Sequence, residues 1–414
     1  MTTTGYNVAT DGYDALLWGN GDGTFAEGAS AAAITSPGWH AGAAVGDVNG
    51  DARPDIFVAG YTDLNAPIAG SEDGFPKNHR AVRDLLYLNE GPDARGRSRF
   101  REVAGRAGLE SAGLDHGLGA VFTDVDEDGR LDLYVANDLD PNRLYVNVAR
   151  PGLGFHFEER GRALRVDDPN AGMGVAAADY SLDGRDDLFV SNSRKQLHAA
   201  FRSSVAKEGE AAFADARPVF AAALGTSYTG WGVTWADLDL DGYLDLVLAN
   251  GAIPLISLER DAQEIKVLAN LAESGRPGEF GDAGALTGLP RSLRLNGRGL
   301  AAADYDNDGD LDIAVNSIGG RLVLLRNTGA SGHWLEVRVK GFLPGTEITA
   351  VLPGGRRLVR EVRAGGSYLS SEDPRVHFGL GAATRVRELV AHFPGGGEAR
   401  LENVAADRLV TLGP

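Results

Sequence analysis

Asp304-Tyr305-Asp306-Asn307-Asp308-Gly309-Asp310-Leu311-Asp312, followed by the apolar run Ile313-Ala314-Val315, decides how this chain is read. Carboxylates at positions 1, 3, 5 and 9 of that stretch, with glycine at 6, gather oxygens around one point, the donor set that a hard cation such as Ca²⁺ requires. The pattern recurs. Asp124, Asp126, Asp128 and Asp132 repeat it around Gly129, and Asp237, Asp239, Asp241 and Asp245 around Gly242. Asp47, Asn49, Asp51 and Asp55 put an amide at the third position, and Asp179, Ser181, Asp183 and Asp187 a hydroxyl. An EF-hand loop would end on a bidentate Glu and be flanked by helices. Here the corresponding residue is Val58, Val135, Val190, Leu248 or Val315, and the flanks are β-rich runs such as Leu133-Tyr134-Val135. Each loop therefore joins two short strands. Up to five structural Ca²⁺ sites are expected, and no organic cofactor.

Working outward from the loops gives a unit of four strands: A before the loop, B after it, C with a Leu-x-x-x-Asn flavour, and D with an aromatic start. The clearest unit places them near 119–122, 131–137, 143–147 and 155–159. Residues 5–28 read as a unit that lacks its beginning, with 6–9 as strand B, and 299–327 as a unit without a clear D. Radial repetition of four-stranded sheets predicts an all-β fold, a calcium-bearing β-propeller of six or seven blades over 1–330. Residues 331–414 show period-2 segments with no cation loop and predict a small antiparallel β domain. Insertions at 61–83 and 251–264 fall between strands B and C, at the channel end away from the loops. Apolar spacing of three and four in 78–88 and 255–268 suggests some helix there.

With 414 residues and 43% hydrophobic content the chain can bury a large core. A net charge of -18 argues against nucleic acid or an anionic membrane as partner, and the aspartate loops account for much of it. The absence of cysteine excludes disulfides, thiolate metal sites and a Cys nucleophile. No basic and apolar leader opens the sequence and no run is long enough to span a bilayer. A cytoplasmic protein is expected, or a secreted one if a signal peptide has been removed. Nucleophile-elbow, zinc-protease, P-loop and dinucleotide motifs are missing.

What varies between the repeats is the start of strand A. Six residues before each first loop aspartate stand Ala41, Leu118, Met173, Trp231 and Arg298, and eight before stand Trp39, His116, Ala171, Thr229 and Asn296. Two tryptophans, His40, His116 and Arg298 around one rim suggest a ligand pocket, against the alternative that they plug the channel as packing residues. Strand B ends add Asn137, Asp138, Asn192, Asn250 and Asn316. On this reading Trp39, Met173 and Trp231 hold an apolar ligand, the asparagines and Asp138 orient it, and His40, His116 and Arg298 supply acid–base chemistry.

The five loops with their flanking strands resemble FG-GAP/VCBS repeats, the calcium-bearing blades of integrin α-subunits. The tail, from Gly332-His333-Trp334-Leu335 through Gly365-Gly366-Ser367-Tyr368-Leu369-Ser370-Ser371-Glu372-Asp373-Pro374-Arg375-Val376-His377-Phe378-Gly379-Leu380-Gly381, is similar to the ASPIC/UnbV domain. The two occur in that order in cartilage acidic protein relatives and in the UnbV proteins of enediyne gene clusters. The resemblance implies a propeller with bound Ca²⁺ and, without sequons or a leader, the biosynthetic branch. A small-molecule biosynthetic intermediate, enediyne or other polyketide, is then the expected partner, with a cofactor-independent cyclisation or isomerisation as the reaction. The alternative is a non-catalytic adhesion module that binds another protein.

Overall fold

The computed structural model describes residues 14–207, 210–276, 278–284, 288–290 and 293–414, and its strands run almost without interruption by helix. Up to Leu325, besides two short two-stranded ladders (Thr62–Pro67 with His79–Ala81, and Gln263–Glu264 with Arg294–Leu295), they form six blade sheets. Four of these have the expected A–B–C–D order, as in Gly117–Thr123, Asp132–Asn137, Arg143–Arg150 and Gly154–Glu159. The N-terminal sheet pairs Leu17–Gly19 with Phe25–Glu27, and the strand read at 6–9 lies outside the described residues. The last sheet has A, B and C only, Gly297–Ala303, Asp312–Ser317 and Val323–Leu325.

Consecutive A strands, His40–Gly46, Gly117–Thr123, Gly172–Ala178, Gly230–Ala236 and Gly297–Ala303, lie side by side around a central channel, which makes the fold a β-propeller. Glycine allows the approach. A Cβ on Gly42, Gly119, Gly174 or Gly232 would fall 2.3–2.6 Å from the carbonyl oxygen of Leu118, Met173, Trp231 or Arg298 in the next blade. Between blades, large side chains from all four strands fill the space, among them Phe57, Leu86, Phe122, Leu133, Tyr145 and Phe157. The segments expected to be partly helical are extended: His79–Ala81 pairs with Thr62–Pro67, and Lys266–Asn270 joins its blade as strand C. Hairpin hydrogen bonding outweighed an apolar spacing that strands and turns satisfy equally well.

From His333 onward two sheets enclose a core of Leu335, Val337, Ile348, Leu358, Phe378 and Leu389. The expectation of a purely antiparallel domain is corrected at one pairing: His333–Val339 and Arg408–Leu412 run parallel. Period-2 patterning reports burial and not strand direction. This domain sits on the loop end of the propeller. Arg356 donates to the Asp241 carbonyl, Arg375 to the Asp304 carbonyl and Gly381 N–H to the Leu240 carbonyl, while His377 Nε2 lies 2.8 Å from the Gly309 carbonyl.

The domain also sends a strap, residues 364–373, into the channel. The innermost strand of a blade is an edge, so its outer N–H and C=O groups need partners away from water. The strap supplies them to five A strands in turn. Val45 N–H donates to the Ala364 carbonyl, and Gly366 N–H to the Ala120 carbonyl. Ser367 and Val175 exchange backbone bonds of 2.6 and 3.2 Å. The Ser367 hydroxyl accepts from Val233 N–H and donates to the Leu300 carbonyl, and Glu372 accepts from Ala302 N–H.

Candidate functional site

The five cation loops share one hydrogen-bond plan. The first aspartate accepts from the backbone of positions 5 and 6, as when Asp304 takes Asp308 N–H at 3.1 Å and Gly309 N–H at 2.9 Å. The ninth-position aspartate bridges two elements. Asp132 accepts from Val125 N–H within the loop and, through its other oxygen, from Asn147 N–H on strand C. Asp55, Asp187, Asp245 and Asp312 do the same with Asn89, Ser203, Asn270 and Asn327. Sequence reasoning assigned these five to the metal alone and missed that they fasten the loop to its blade. The recurring strand C asparagine was the available signal.

The donor sets fit a hard cation. Asp124, Asp126 and Asp132 bring one oxygen each within 4.8 Å of one another, as do Asp237, Asp239, Asp241 and Asp304, Asp306, Asp308. Asp126 Oδ1 and Ser181 Oγ are buried without a hydrogen-bond partner. Burial, reinforced by neighbouring carboxylates, pushes Asp124 and Asp237 up to about 7 and Asp187 up to about 8, as expected of acids gathered without a countercharge. The Asp47 loop differs, since Ala52 takes the sixth position with φ 61° where the other loops have glycine. A cavity of about 730 Å³ separates the Asp47, Asp124 and Asp179 loops from the C-terminal domain, with Arg130, Arg185, Arg357 and Arg360 among its lining.

At the other end of the channel, each A strand carries a bulge at the position that sequence comparison singled out, for example between Gly230 and Val233 and between Gly297 and Leu300. The bulge re-aims one side chain per blade. Ala41, Leu118, Met173 and Trp231 meet there with Tyr61, Ala171, half-buried Trp39 and, from the strap, Tyr368. Trp231 lies 4.7 Å from Tyr368 between ring centroids, and the Arg298 guanidinium stacks 3.9 Å above Trp231. Next to them Trp39, Tyr61 and exposed Phe75 of the first insertion pack with centroids 4.8–6.2 Å apart. Tyr61 donates its hydroxyl to Asp138 at 2.8 Å, and burial lifts Asp138 to about 6.

Several expected ligand-facing residues prove structural. His40 is buried against Asp14 at 3.2 Å and cannot reach a ligand. Asn137, Asn192, Asn250 and Asn296 are buried, and each donates its amide to a backbone carbonyl, of Pro141, Leu197, Glu264 and Leu258 respectively. They shape the turn after strand B or before strand A, as asparagine commonly does. Asn316 is exposed. Met173 and Trp231 are packing residues of the plugged channel, Trp231 with its Nε1–H on the Gly251 carbonyl at 2.7 Å. His116 is held on both sides: Nδ1 is 2.7 Å from Asp140, which also pairs with Lys77, and Nε2 is 3.3 Å from the His79 carbonyl. Burial works against the Asp140 charge, but hydrogen bonds from His116 and Lys77 hold its carboxyl below the usual range. Trp39, Arg298, Phe75 and Tyr368 are left at the accessible mouth, the last two unforeseen there. Tyr368 could not be placed from sequence because it arrives from the other domain.

The class is thus a cation-loop β-propeller with a C-terminal β domain strapped through its channel. Comparison with known proteins gives the class its names: the FG-GAP-like repeat model matches residues 6–58 and 124–190, and the ASPIC and UnbV model matches 340–414. The chain carries FG-GAP-like repeats followed by an ASPIC and UnbV domain. Cartilage acidic protein 1 of Mus musculus is 29% identical over 328 residues, which is 72% of this chain and 47% of that protein. The Homo sapiens protein is 28% identical over 326 residues, 72% and 46%. The chain spans about half the length of these curated relatives. Among solved structures, an Agrocybe aegerita lectin described as recognising non-reducing terminal N-acetylglucosamine aligns with TM-score 0.40 at 16% identity, over 70% of this chain and 65% of that one. A rhamnogalacturonan lyase aligns with TM-score 0.34 at 14% identity, over 97% and 67%. Neither likeness is close enough to bear on function. Among the described residues no helix is long and apolar enough to cross a membrane.

Proposed function

We propose that the chain is a calcium-stabilised propeller whose channel mouth, away from the loops, binds a small organic ligand with a polycyclic, polyketide-derived skeleton, as a component of natural-product biosynthesis. The observation that carries this reading is where the blades differ. Loops and blade glycines repeat, whereas the residue at each bulge changes from Ala41 to Leu118, Met173, Trp231 and Arg298, the first four buried as the floor of the mouth and Arg298 left half-buried at its surface, where Trp39 and Phe75 also lie. The resemblance to UnbV proteins of enediyne clusters supports the ligand class, and the aromatic rim of Trp39, Tyr61 and Phe75 suits an apolar skeleton. Binding, more than catalysis, is what the geometry favours, because His40 is buried and both nitrogens of His116 are engaged.

The test is calorimetric titration with polycyclic polyketides. Trp39→Ala should weaken binding by roughly 1–3 kcal/mol, and His116→Gln should leave it close to wild type. Undiminished affinity in Trp39→Ala and Phe75→Ala would refute the reading and favour a mouth that serves a protein partner.

A further inference from the structure

Among the described residues, the mouth holds one cation whose charge no carboxylate answers. Several other partly buried arginines have such partners: Arg143 pairs with Asp115, Arg363 with Asp186 and Glu361, and Arg375 with Glu336 and Asp373, whereas Arg356 and Arg360, at the loop end, donate to the Asp241 and Gly242 carbonyls there. Arg298 has none among the described residues. Its guanidinium is fixed by other means, over the Trp231 ring with its carbon 3.9 Å from the centroid, one nitrogen on the Gly297 carbonyl at 2.8 Å and another on the Ala252 carbonyl at 3.3 Å. A guanidinium has five N–H donors in a planar fork, so donors remain uncommitted. Burial draws its pKa down to about 10, so the group stays charged at neutral pH.

Tyr368 completes the arrangement. It packs on the same tryptophan, 4.7 Å between centroids, and its hydroxyl has no hydrogen-bond partner among the described residues. Its placement follows from the blade geometry. The glycine of each of the first four A strands meets a carbonyl of the next blade, but a Cβ on Gly299 would meet the Tyr368 carbonyl of the strap at 3.2 Å. Tyr368 is therefore the sixth member of the ring of mouth residues that begins with Ala41, and the neighbour of Arg298. Asp138, the carboxylate that acts on Tyr368, has the Tyr61 hydroxyl on one oxygen at 2.8 Å.

We propose that Arg298 and Tyr368 together form an anion-binding subsite at the mouth, which takes a carboxylate or acidic enol of the ligand while Trp39 and Phe75 contact its apolar skeleton. This rests on the mouth being the ligand site, and narrows the ligand to an acidic polycycle. A planar fork beside a phenol donor matches the two oxygens of a carboxylate.

The experiment titrates the full chain, in Ca²⁺, with 2-naphthoate and with its neutral counterpart 2-naphthylmethanol. The expected result is naphthoate binding at least tenfold tighter, a preference lost in Arg298→Gln with naphthylmethanol affinity unchanged. Tyr368→Phe should weaken naphthoate several-fold at an unaltered melting temperature. Should Arg298→Gln fold poorly, Arg298→Lys keeps the charge without the fork and should retain part of the preference. Equal affinity for the two probes in the wild type, or a preference that survives in Arg298→Gln, overturns the anion subsite and leaves the mouth as a site. Absence of binding by either probe overturns both.

Discussion

Ser367→Ala removes one hydroxyl and should loosen two domains at once. The side chain is 2% exposed, accepts from Val233 N–H at 3.1 Å and donates to the Leu300 carbonyl at 2.8 Å. The Leu300 carbonyl keeps the Ser370 hydroxyl, also at 2.8 Å, so its loss is that of one net hydrogen bond, about 1 kcal/mol. Val233 N–H loses this partner inside a closed channel, where an unsatisfied donor costs about 1–3 kcal/mol. The expected destabilisation is about 2–4 kcal/mol, against about 1 kcal/mol for half-buried Ser370→Ala. Urea unfolding of the calcium-loaded chain gives the total, and segment-resolved hydrogen exchange shows where it falls. Faster exchange should appear in Gly230–Ala236 and Gly297–Ala303 as well as in the C-terminal strands. A loss below about 0.5 kcal/mol, the range of an ordinary surface substitution, would refute the strap as a bearer of propeller stability, as would loosening confined to residues 333–414.

Chelation with EDTA should lower the melting temperature, since an ion that binds only the native state stabilises it by mass action; an unchanged melt with no metal on elemental analysis would remove Ca²⁺ from the account. Ser181→Asp, which adds a fourth carboxylate to its loop, should tighten calcium binding there, and a calcium titration that matches wild type would count against the loop as a site. Ala52→Gly should raise the melting temperature, because a non-glycine residue at φ 61° costs roughly 1 kcal/mol, partly offset by the greater freedom of glycine when unfolded. Buried His198 accepts Asn192 N–H on Nδ1 at 2.8 Å, and burial pulls its pKa down to about 4. The unfolded imidazole titrates near ~6.5, so the stability from this residue is whole above that pH and is lost as pH falls toward the folded value, by up to roughly 3 kcal/mol. His198→Gln should therefore flatten the decline in stability between neutral pH and pH ~4.5, and parallel declines in the two proteins would contradict this.

How much of this was legible follows from how local each signal is. The cation loops could be read because all their donors lie within nine consecutive residues, and the repeat because every blade restates the same A-loop-B spacing. The second role of Asp132 was not, since its partner Asn147 is 15 residues away on a strand whose pairing register the sequence does not print. The mouth was half legible. Position-by-position comparison of the A strands found the residues that the bulges present, but not that His40 would turn toward Asp14 or that strand-end asparagines would spend their amides on nearby turns. The strap was invisible. Gly365-Gly366-Ser367 reads as a turn between two strands of its own domain, and its partner Val233 lies 134 residues away.

That hidden segment changes what the two ends of the molecule have to do with each other. The C-terminal domain rests on backbone carbonyls that belong to the cation loops, those of Leu240, Asp241, Asp304 and Gly309. Their positions follow from the turn at the sixth residue of each loop and from carboxylates that bind the same backbone. Arg375, anchored on the Asp304 carbonyl, stands two residues beyond the last strap contact at Asp373, and Tyr368 lies only five residues before that contact. With Ser367 paired to Val175 and its hydroxyl shared by Val233 and Leu300, the strap has little freedom to slide along the channel. The conformation of the loops on one end thus sets the height at which the Tyr368 ring meets Trp231 on the other. A propeller built this way is not a ring with a separate domain appended: the domain is the axle, and it carries one of the six side chains that face the mouth.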